Sequence, residues 1–347
     1  MTKRSILLVI YTALFMAPGL AEAEAVEPTI PHQSLAAVRV GEKWGFIDKT
    51  GKLVIEPQFD WTGDFSEGLA GVAVGVKCGY IDQTGKLVIQ PQFELDLERY
   101  LPSFSEGLAL VQVGDKWGYI NQTGKLIIKP QFDQATDFSG GRALVQVGRK
   151  WGYTNKIGKL VVRPRFVHAG DFSEGLASVE VGMKFGFIDQ VGKLVIEPQF
   201  DRAGDFSEGL ASIETGAKFG FIDRTGKLII QPQFTAAWAF SEGLALVWVG
   251  GKCGFIDKTG KLVIQPQFQS ALLFSEGLSP VLVDEKWGFI DKTGKLVIPP
   301  QFDDNISEFS DGLAAVMVGG KWGYIDKTGK VVIKPQFDEA GDFHRAE

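Results

Sequence analysis

The chain has 347 residues, of which 45% are hydrophobic and 43 are glycine, and its formal net charge is −6 at pH 7. This composition provides enough apolar material for a large core, and acidic and basic residues are interspersed along the chain. Nucleic acid and anionic lipid both require a basic patch, so neither is expected as a partner.

The first 23 residues have the pattern of a secretory signal peptide. Lys3 and Arg4 precede an apolar stretch at residues 6–20, and residues 21–23 (Ala-Glu-Ala) form a small-x-small cleavage site. Such a stretch is short for a membrane-spanning helix and has the wrong flanks. We therefore expect an exported protein, periplasmic or extracellular, without a membrane span in its mature form. Residues 24–34 form a linker. A retained N-terminal anchor is the alternative.

Residues 35–347 consist of nine copies of one motif. Its most regular part, Lys43–Asp48 (Lys-Trp-Gly-Phe-Ile-Asp), recurs at steps of 34, 35 or 39 residues. The other copies begin at Lys77, Lys116, Lys150, Lys184, Lys218, Lys252, Lys286 and Lys321. A fixed period of this length indicates units that bury their apolar faces against one another. The nine repeats therefore predict one continuous domain.

Within a repeat, the residue pattern predicts three strands. In the fifth copy, residues 176–181 alternate along a strand, Gly182 permits a tight turn into a strand at 184–189, and a third strand ends at Pro198. Helical periodicity is absent. We predict an all-β tandem array of nine three-stranded antiparallel β-meanders of about 34 residues each. The array forms an open or loosely closed superhelix, with a closed β-propeller-like ring as the alternative.

Three features of the repeat are interpreted as structural. The glycine after the aromatic position, Gly186 in the fifth copy, allows a close backbone approach. The turn that follows opens with Asp or Asn in every copy, so its side chain is interpreted as a cap and not as a metal ligand or catalytic group. The apolar run at residues 194–196 predicts that both faces of each sheet are buried.

The two cysteines, Cys78 and Cys253, stand where five repeats have Trp and two have Phe. A position that accepts these three residue types is apolar, which predicts buried free thiols. The two cysteines are five repeats apart, too far for a disulfide in a linear array.

No residue pattern indicates catalysis, a metal or a cofactor. The three histidines, His32, His168 and His344, lack metal-ligand spacing, and the glycines lie in hairpin turns instead of a phosphate-binding loop. Glutamate recurs in a Phe-Ser-Glu-Gly motif, but Gly140 and Asp311 replace it in two copies. We interpret these carboxylates as partners of the lysine before each Trp position, or as caps of the turn.

Positions that differ between repeats are the candidates for partner binding. The residue after Phe-Asp is variable, the position two residues later holds one Trp, and a first-strand position holds another; exposed tryptophan suits sugars and apolar peptides. Where the step is 39 residues instead of 34, an insertion lengthens the loop before Phe104, and insertions in repeat proteins map to loops on one face. The candidate partner-binding residues are Trp61, Leu97, Arg99, Tyr100, His168, Arg202, Trp238 and Trp248. Neutral drift is the alternative at most of them.

The repeated sequence Lys-Trp-Gly-(Phe or Tyr)-Ile-Asp-x-x-Gly-Lys-Leu-Val-Ile-x-Pro-Gln-Phe resembles the WG-repeat (KWG-repeat) family of bacterial proteins over residues 35–343. The chain departs from the family pattern at Cys78, Phe185, Phe219, Cys253 and Arg165. The resemblance implies a β-repeat protein with a binding or scaffolding role, and it implies no catalytic residues.

We therefore expect an exported, non-enzymatic protein that binds or scaffolds a protein partner in the envelope or outside the cell. The alternative is a lectin-like module that binds glycans through Trp61, Trp238 and Trp248. An envelope enzyme that uses the periodic carboxylates is the third and weakest hypothesis.

Overall fold

The computed structural model of the protein describes residues 33–94, 101–303 and 305–344. These residues belong to one compact unit. Every regular element among them is a β-strand, so the all-β prediction is confirmed. Within these ranges, no helix is long and apolar enough to span a membrane. The predicted signal peptide lies outside the described residues.

Each repeat contributes three consecutive antiparallel strands, as predicted. The first strands are Ala36–Val40, Leu69–Val74, Leu108–Val113, Ala143–Val147, Leu176–Val181, Leu210–Thr215, Leu244–Val249, Leu278–Val283 and Leu313–Val318. The second strands are Lys43–Ile47, Lys77–Ile81, Lys116–Asn121, Lys150–Thr154, Lys184–Asp189, Lys218–Asp223, Lys252–Asp257, Lys286–Asp291 and Lys321–Asp326. The third strands are Leu53–Phe59, Leu87–Glu94, Leu126–Phe132, Leu160–Phe166, Leu194–Phe200, Leu228–Phe234, Leu262–Phe268, Leu296–Phe302 and Val331–Phe337.

A fourth segment, which the sequence did not reveal as a strand, links each repeat to the next. We call it the tail strand, because it follows the third strand of one repeat and pairs with the first strand of the following repeat. The tail strands are Trp61–Ser66, Gln134–Ala135, Arg202–Ser207, Ala236–Ser241, Ser270–Ala271 and Glu339–Ala340. In other repeats isolated bridges mark the same segment, for example Ala169 with Val179. We number the sheets 1 to 9 after the repeat that supplies their first three strands; one pairing, Glu94 with Gln112, joins sheets 2 and 3 at their edges.

The last tail strand pairs with the first strand of sheet 1, which closes the array into a ring. Val38 pairs with Ala340, and the amide of Gly341 donates a hydrogen bond of 2.8 Å to the carbonyl oxygen of Ala37. Nine apolar clusters lie within the described residues, one between each pair of neighbouring sheets, including sheets 9 and 1. Of the arrangements that the sequence left open, the structure has the closed, propeller-like ring.

The nine interfaces between sheets repeat one aromatic contact. Phe187 of sheet 5 packs against Phe206 in the tail strand of sheet 6, with ring centroids 4.9 Å apart and planes inclined at 60°. The equivalent pair has a centroid distance of 4.7 to 5.0 Å at every other interface. Such pairs contribute about 0.5–1.5 kcal/mol beyond the area that they bury. The stabilising contacts are therefore distributed evenly around the ring.

The structural interpretation of the glycine and of the turn is confirmed. A Cβ atom on Gly186 would lie 2.4 Å from the carbonyl oxygen of Ile196, since the register of the two strands shifts at this point. In the turn, Oδ1 of Asp189 accepts hydrogen bonds from the amides two and four residues further on. Asn155 accepts the same pair in its repeat, which explains why the charge is dispensable.

The prediction that both faces of each sheet are buried is confirmed for the sheets, since sheet 5 contributes to an apolar cluster on each side, but it is wrong for part of the apolar run. Leu194 and Ile196 pack against the clusters with sheets 4 and 6, whereas Val195 is exposed, because the third strand forms an edge of its sheet. Comparable exposed side chains are Val88, Leu126, Ile127, Leu160, Leu228, Ile229, Val263, Leu296, Val297, Val331 and Val332. The proline that ends each run hinders pairing with another edge.

Both cysteines are buried free thiols, as predicted. The Sγ atom of Cys253 lies 3.5 Å from the carbonyl oxygen of Phe268. Burial raises the pKa of Cys78 and of Cys253 to about 11, so both thiols stay protonated at neutral pH.

The ring has two different ends. The corner end carries the Phe-Ser-Glu-Gly turns, which we call corners, and the turns between second and third strands. The hairpin end carries the tight turns between first and second strands and the points where the chain crosses into the next sheet. Strand direction alternates within each sheet, so the variable positions after Phe-Asp all lie near the hairpin end.

Candidate ligand-binding pocket

The variable positions belong to one cross-strand row in each sheet. In sheet 6, Arg202 of the tail strand pairs with Glu214 of the first strand, and Glu214 pairs with Phe219 at the aromatic position. Phe219 in turn pairs with Phe234 of the third strand. Side chains opposite one another on antiparallel strands interact directly, so the residues of a row are neighbours in space.

Charged residues of a row form ion pairs with oppositely charged residues of the same sheet. Arg202 lies 3.4 Å from the carboxylate of Glu214, and His168 contacts the carboxylate of Glu180 through Nδ1. The side chains of His168 and Arg202 are exposed, and such surface pairs contribute about 0.2–1 kcal/mol. These two candidate residues therefore have structural partners, and they lie on different sheets.

The two cysteine-containing rows each keep one tryptophan on another strand. In sheet 7, Trp248 lies directly across from Cys253 and packs, half-buried, against the apolar cluster shared with sheet 8. In sheet 2, Trp61 lies two strands from Cys78, with Ala73 between them. The structure thus gives Trp248 a packing role that the sequence did not reveal.

The three candidate tryptophans do not form one surface. Trp61 and Trp238 are 46% and 43% exposed, but they lie in the tail strands of the non-adjacent sheets 2 and 7. Leu97, Arg99 and Tyr100, the candidates of the insertion, lie outside the described residues.

Trp61 lines a cavity of about 310 Å³ where sheets 9, 1 and 2 meet the end of the insertion. We call this cavity the seam pocket. Its defining residues are Trp44, Trp61, Asp64, Leu101, Trp322 and Glu339. It combines aromatic walls with carboxylates, and its volume is at the lower end of the range of about 300–1,000 Å³ for small-ligand sites.

The aromatic walls of the seam pocket differ in how far they are exposed to solvent. Trp44 is 7% exposed and belongs to the core between sheets 1 and 2, so packing fixes its ring. Trp61 stands beside it, with ring centroids 5.4 Å apart and planes inclined at 59°. Trp322 of sheet 9 packs, half-buried, at the interface with sheet 1. The pocket therefore has one buried wall and one wall open to solvent.

The carboxylates of the seam pocket have basic neighbours. Asp64 Oδ2 lies 3.4 Å from Nε2 of His344, and Glu339 Oε1 lies 2.5 Å from Nη2 of Arg39. The Asp64 carboxylate raises the pKa of His344, whereas burial raises the pKa of the nearby Asp342. The side chains of Asp64 and Glu339 remain about half exposed, so each can accept a further hydrogen bond.

Closure of the ring assembles this pocket from residues that the sequence interpretation did not connect. Arg39 and Glu339 are 300 positions apart, and Trp44 and Trp322 belong to the first and last repeats, where they were assigned only to the core. The one signal in the sequence was Trp61, the tryptophan at a position that is otherwise polar or small.

Corner serines form a belt of hydrogen bonds around the other end of the ring. In eight of the nine corners, all within the described residues, a serine Oγ donates to the carbonyl oxygen of the next corner phenylalanine. The donors are Ser66, Ser105, Ser139, Ser173, Ser207, Ser241, Ser275 and Ser310. His344 occupies the ninth place and contacts Asp64 instead. The belt is therefore interrupted at the closure.

A second cavity, of about 770 Å³, lies at the corner end beside His344. Its lining includes corner carboxylates that already have structural partners. For example, Glu276 accepts the amide of Gly312 and pairs with Lys327 at 2.9 Å. Glu276 is 31% exposed, whereas Asp64 and Glu339 are about half exposed and stand beside an exposed tryptophan, so the seam pocket is the better candidate.

The predicted capping of a turn by these glutamates is confirmed, since Glu242 accepts the amide of Gly277, but their lysine partner differs from the prediction. The corner Glu242 pairs with Lys292 of a turn at 3.1 Å, whereas the lysine before the aromatic position, such as Lys184, pairs with the aspartate of Phe-Asp, Asp201. In each repeat, the lysine before the aromatic position begins the second strand, as Lys184 does, whereas the turn lysine follows the end of that strand, as Lys292 does. The sequence alone does not reveal which carboxylate lies near each end. Across residues 33–94, 101–303 and 305–344, no three His, Cys, Asp or Glu side chains are grouped to hold a metal ion.

Comparison with known proteins supports the fold. No curated protein matches the sequence. Among solved structures, the chain is similar to the crystal structure of a eukaryotic initiation factor, with a TM-score of 0.65 and 11% identity over 89% of this chain and 98% of that chain. It is also similar to the dihydro-heme d1 dehydrogenase NirN, with a TM-score of 0.50 and 12% identity over 91% of this chain and 75% of that chain. At these identities the similarity shows the fold alone.

The sequence family is shown by a model described as the WG containing repeat. It matches nine times, at residues 44–78, 79–117, 117–151, 151–184, 185–219, 219–253, 254–287, 287–322 and 322–345. The matches follow one another through the sheets of the ring, and the chain therefore belongs to the WG-repeat family.

Proposed function

We propose that this chain is an exported, non-enzymatic binding protein that holds a protein partner of the envelope or the extracellular space. The ring is the scaffold, and the seam pocket is the anchor point for the partner. The observation that carries the proposal is Trp61, which is 46% exposed inside a cavity whose other wall, Trp44, is buried.

An exposed tryptophan in a pocket supports binding for an energetic reason. Burying a large aromatic side chain is among the largest gains available at an interface, and tryptophan is enriched at binding hot spots. Elsewhere in the ring, tryptophans such as Trp117 are buried at the aromatic position. Trp61 would bury its exposed face only when a partner docks.

Export is supported by the N-terminal sequence, with its basic start, apolar stretch and small-x-small site. Mass spectrometry of the protein recovered from its native compartment tests this part. We expect a mature chain that begins near Glu24 in a periplasmic or culture fraction. An intact Met1 in the cytoplasmic fraction would contradict export.

A lectin-like function is the second candidate, since Asp64 and Glu339 stand beside Trp61 and could accept hydrogen bonds from sugar hydroxyls. The version with three tryptophan platforms has less support, because Trp248 is half-buried and Trp238 lies on a distant sheet.

The binding proposal is tested by capture from an envelope extract on immobilised residues 24–347. We expect a specific protein to be retained by the unmodified chain and lost with Trp61→Ala. Trp238→Ala is the matched control, because it removes an equally exposed tryptophan from sheet 7. Equal retention by all three chains would contradict the role of the seam pocket, and retention of glycan alone would favour the lectin.

A further inference from the structure

We propose that the seam pocket recognises an organic cation, the alkylammonium group of a lysine side chain on the partner. This inference rests on the proposed function and specifies the chemistry of the same pocket.

The angle between the aromatic walls fits a compact group better than a flat one. The planes of Trp44 and Trp61 are inclined at 59° with centroids 5.4 Å apart, so the two rings form a corner instead of one flat platform. A cation is attracted to the face of an aromatic ring, most strongly to tryptophan, and an aromatic cage is the usual site for ammonium groups. A pyranose ring would stack on Trp61 alone.

The charges around the walls favour a positive ligand. Asp64 and Glu339 line the pocket, and none of its described lining residues is basic. The basic groups that contact these carboxylates from outside the lining are Arg39, which is paired with Glu339, and His344, which contacts Asp64. Both carboxylates stay about half exposed, so they are available to an incoming ammonium group.

The size of the pocket limits the ligand to a single side-chain head group. A volume of about 310 Å³ is at the bottom of the range for small-molecule sites. An oligosaccharide would extend beyond it, whereas an alkylammonium group fits within it and leaves the rest of the partner on the hairpin end of the ring.

Sheet 7 provides a control that has the tryptophan without the charge. Trp238 is as exposed as Trp61, but Ala239 occupies the position that corresponds to Asp64. If exposure alone were sufficient for cation binding, Trp238 would bind as well as Trp61.

The test is titration of residues 24–347 with n-butylammonium, which reproduces the end of a lysine side chain, and with the uncharged 1-butanol, followed by the indole NMR signals. We expect saturable binding of butylammonium that shifts the Trp61 signal but not the Trp238 signal, with binding of the alcohol about tenfold weaker. Asp64→Asn should weaken butylammonium binding by about tenfold as well, and Trp238→Ala should leave it unchanged. Trp61→Phe, which keeps an aromatic face, checks that the loss with Trp61→Ala is not a folding defect.

Equal binding of butylammonium and the alcohol would overturn the inference, as would binding of methyl glucoside without binding of butylammonium. Loss of partner capture with Trp61→Ala in the absence of any butylammonium binding would refute the cation and leave the proposed function intact. Capture that is independent of Trp61 would refute the proposed function itself.

Discussion

Sheets 2 and 7 share one departure from the repeat, a cysteine at the aromatic position, but they accommodate it differently. Each has cysteine at the aromatic position, and each keeps one tryptophan in the same cross-strand row. In sheet 7 that residue is Trp248, which stands beside the cysteine and packs into the core. In sheet 2 it is Trp61, which stands one strand further away and opens onto the seam pocket. In sheet 7 the tryptophan thus packs beside the cysteine, whereas in sheet 2 an aromatic surface stays exposed.

The difference follows from the neighbours of each tryptophan. The residue across from Cys78 is Ala73, too small to replace a tryptophan, and Trp61 instead leans against Trp44 of sheet 1. Sheet 2 also lies beside the closure and the insertion, where the regular contacts of the ring are interrupted. A variable position near such an interruption is a better candidate for function than one inside a regular row.

The largest effect should separate the two tryptophans by stability. Trp248→Ala should lower the free energy of unfolding by about 2–4 kcal/mol, because it leaves a cavity above Cys253. Trp61→Ala, which removes a half-exposed ring, should cost less than about 1 kcal/mol. Denaturant unfolding of both variants measures this, and equal losses would mean that the two rows do not differ.

A second experiment reverses the exchange in sheet 7. Cys253→Trp should destabilise the ring by about 1–3 kcal/mol, because Trp248 already occupies the space. In the double variant with Trp248→Ala, Cys253→Trp should lower the free energy of unfolding much less, with a coupling free energy of about 0.5–3 kcal/mol. Additive effects in this double-mutant cycle would contradict compensation within the row.

The serine belt distinguishes the sheets at the corner end. Ser207→Ala removes the hydrogen bond to the carbonyl oxygen of Phe240 in sheet 7 and should lower stability by about 0.5–1.5 kcal/mol. His344→Ser, by contrast, would offer a donor to Phe65 in sheet 2 but remove the contact with Asp64, so its net effect should be smaller. Thermal unfolding of the two variants gives the order, and an equal loss would show that the closure is no different from other corners.

The smallest predicted effect is a pH dependence confined to the closure. The pKa of His344 is raised in the folded protein by Asp64, so the folded state binds the proton more tightly than the unfolded state. The resulting stabilisation is complete below about pH 6.5, the ordinary value for histidine, and is lost as the pH rises through the folded pKa.

Because His344 is partly exposed, the change should be only about 0.2–1 kcal/mol. The measurement is the difference in unfolding free energy between the unmodified chain and His344→Gln from pH 5.5 to 8.5, about three orders of magnitude in proton concentration around the ordinary histidine pKa. Subtracting one unfolding free energy from the other removes the pH dependence that both chains share, including that of aspartates far from His344. A difference that does not change with pH would exclude the pair.

The sequence by itself determined the repeat. The three strands, the glycine after the aromatic position and the capped turn depend on residues a few positions apart, and such local requirements recur in every copy. Gly186 and Asp189 could be assigned without coordinates, because backbone geometry excludes most other residues from their positions. The burial of Cys78 and Cys253 followed from the residues that replace them in other repeats.

Only the tertiary structure decided which ends meet and which variable residues share a site. The tail strand was not predicted, because it pairs with the next repeat and has no periodic pattern in its own. The seam pocket joins Trp61 to Glu339 and Trp322, and the nearby pair Arg39–Glu339 spans 300 positions. Contacts between residues so far apart in sequence form only because the small rotations between successive sheets add up to a full turn. No single repeat specifies that sum. The same global packing, and not residue type, made Trp248 part of the core and left Trp61 exposed.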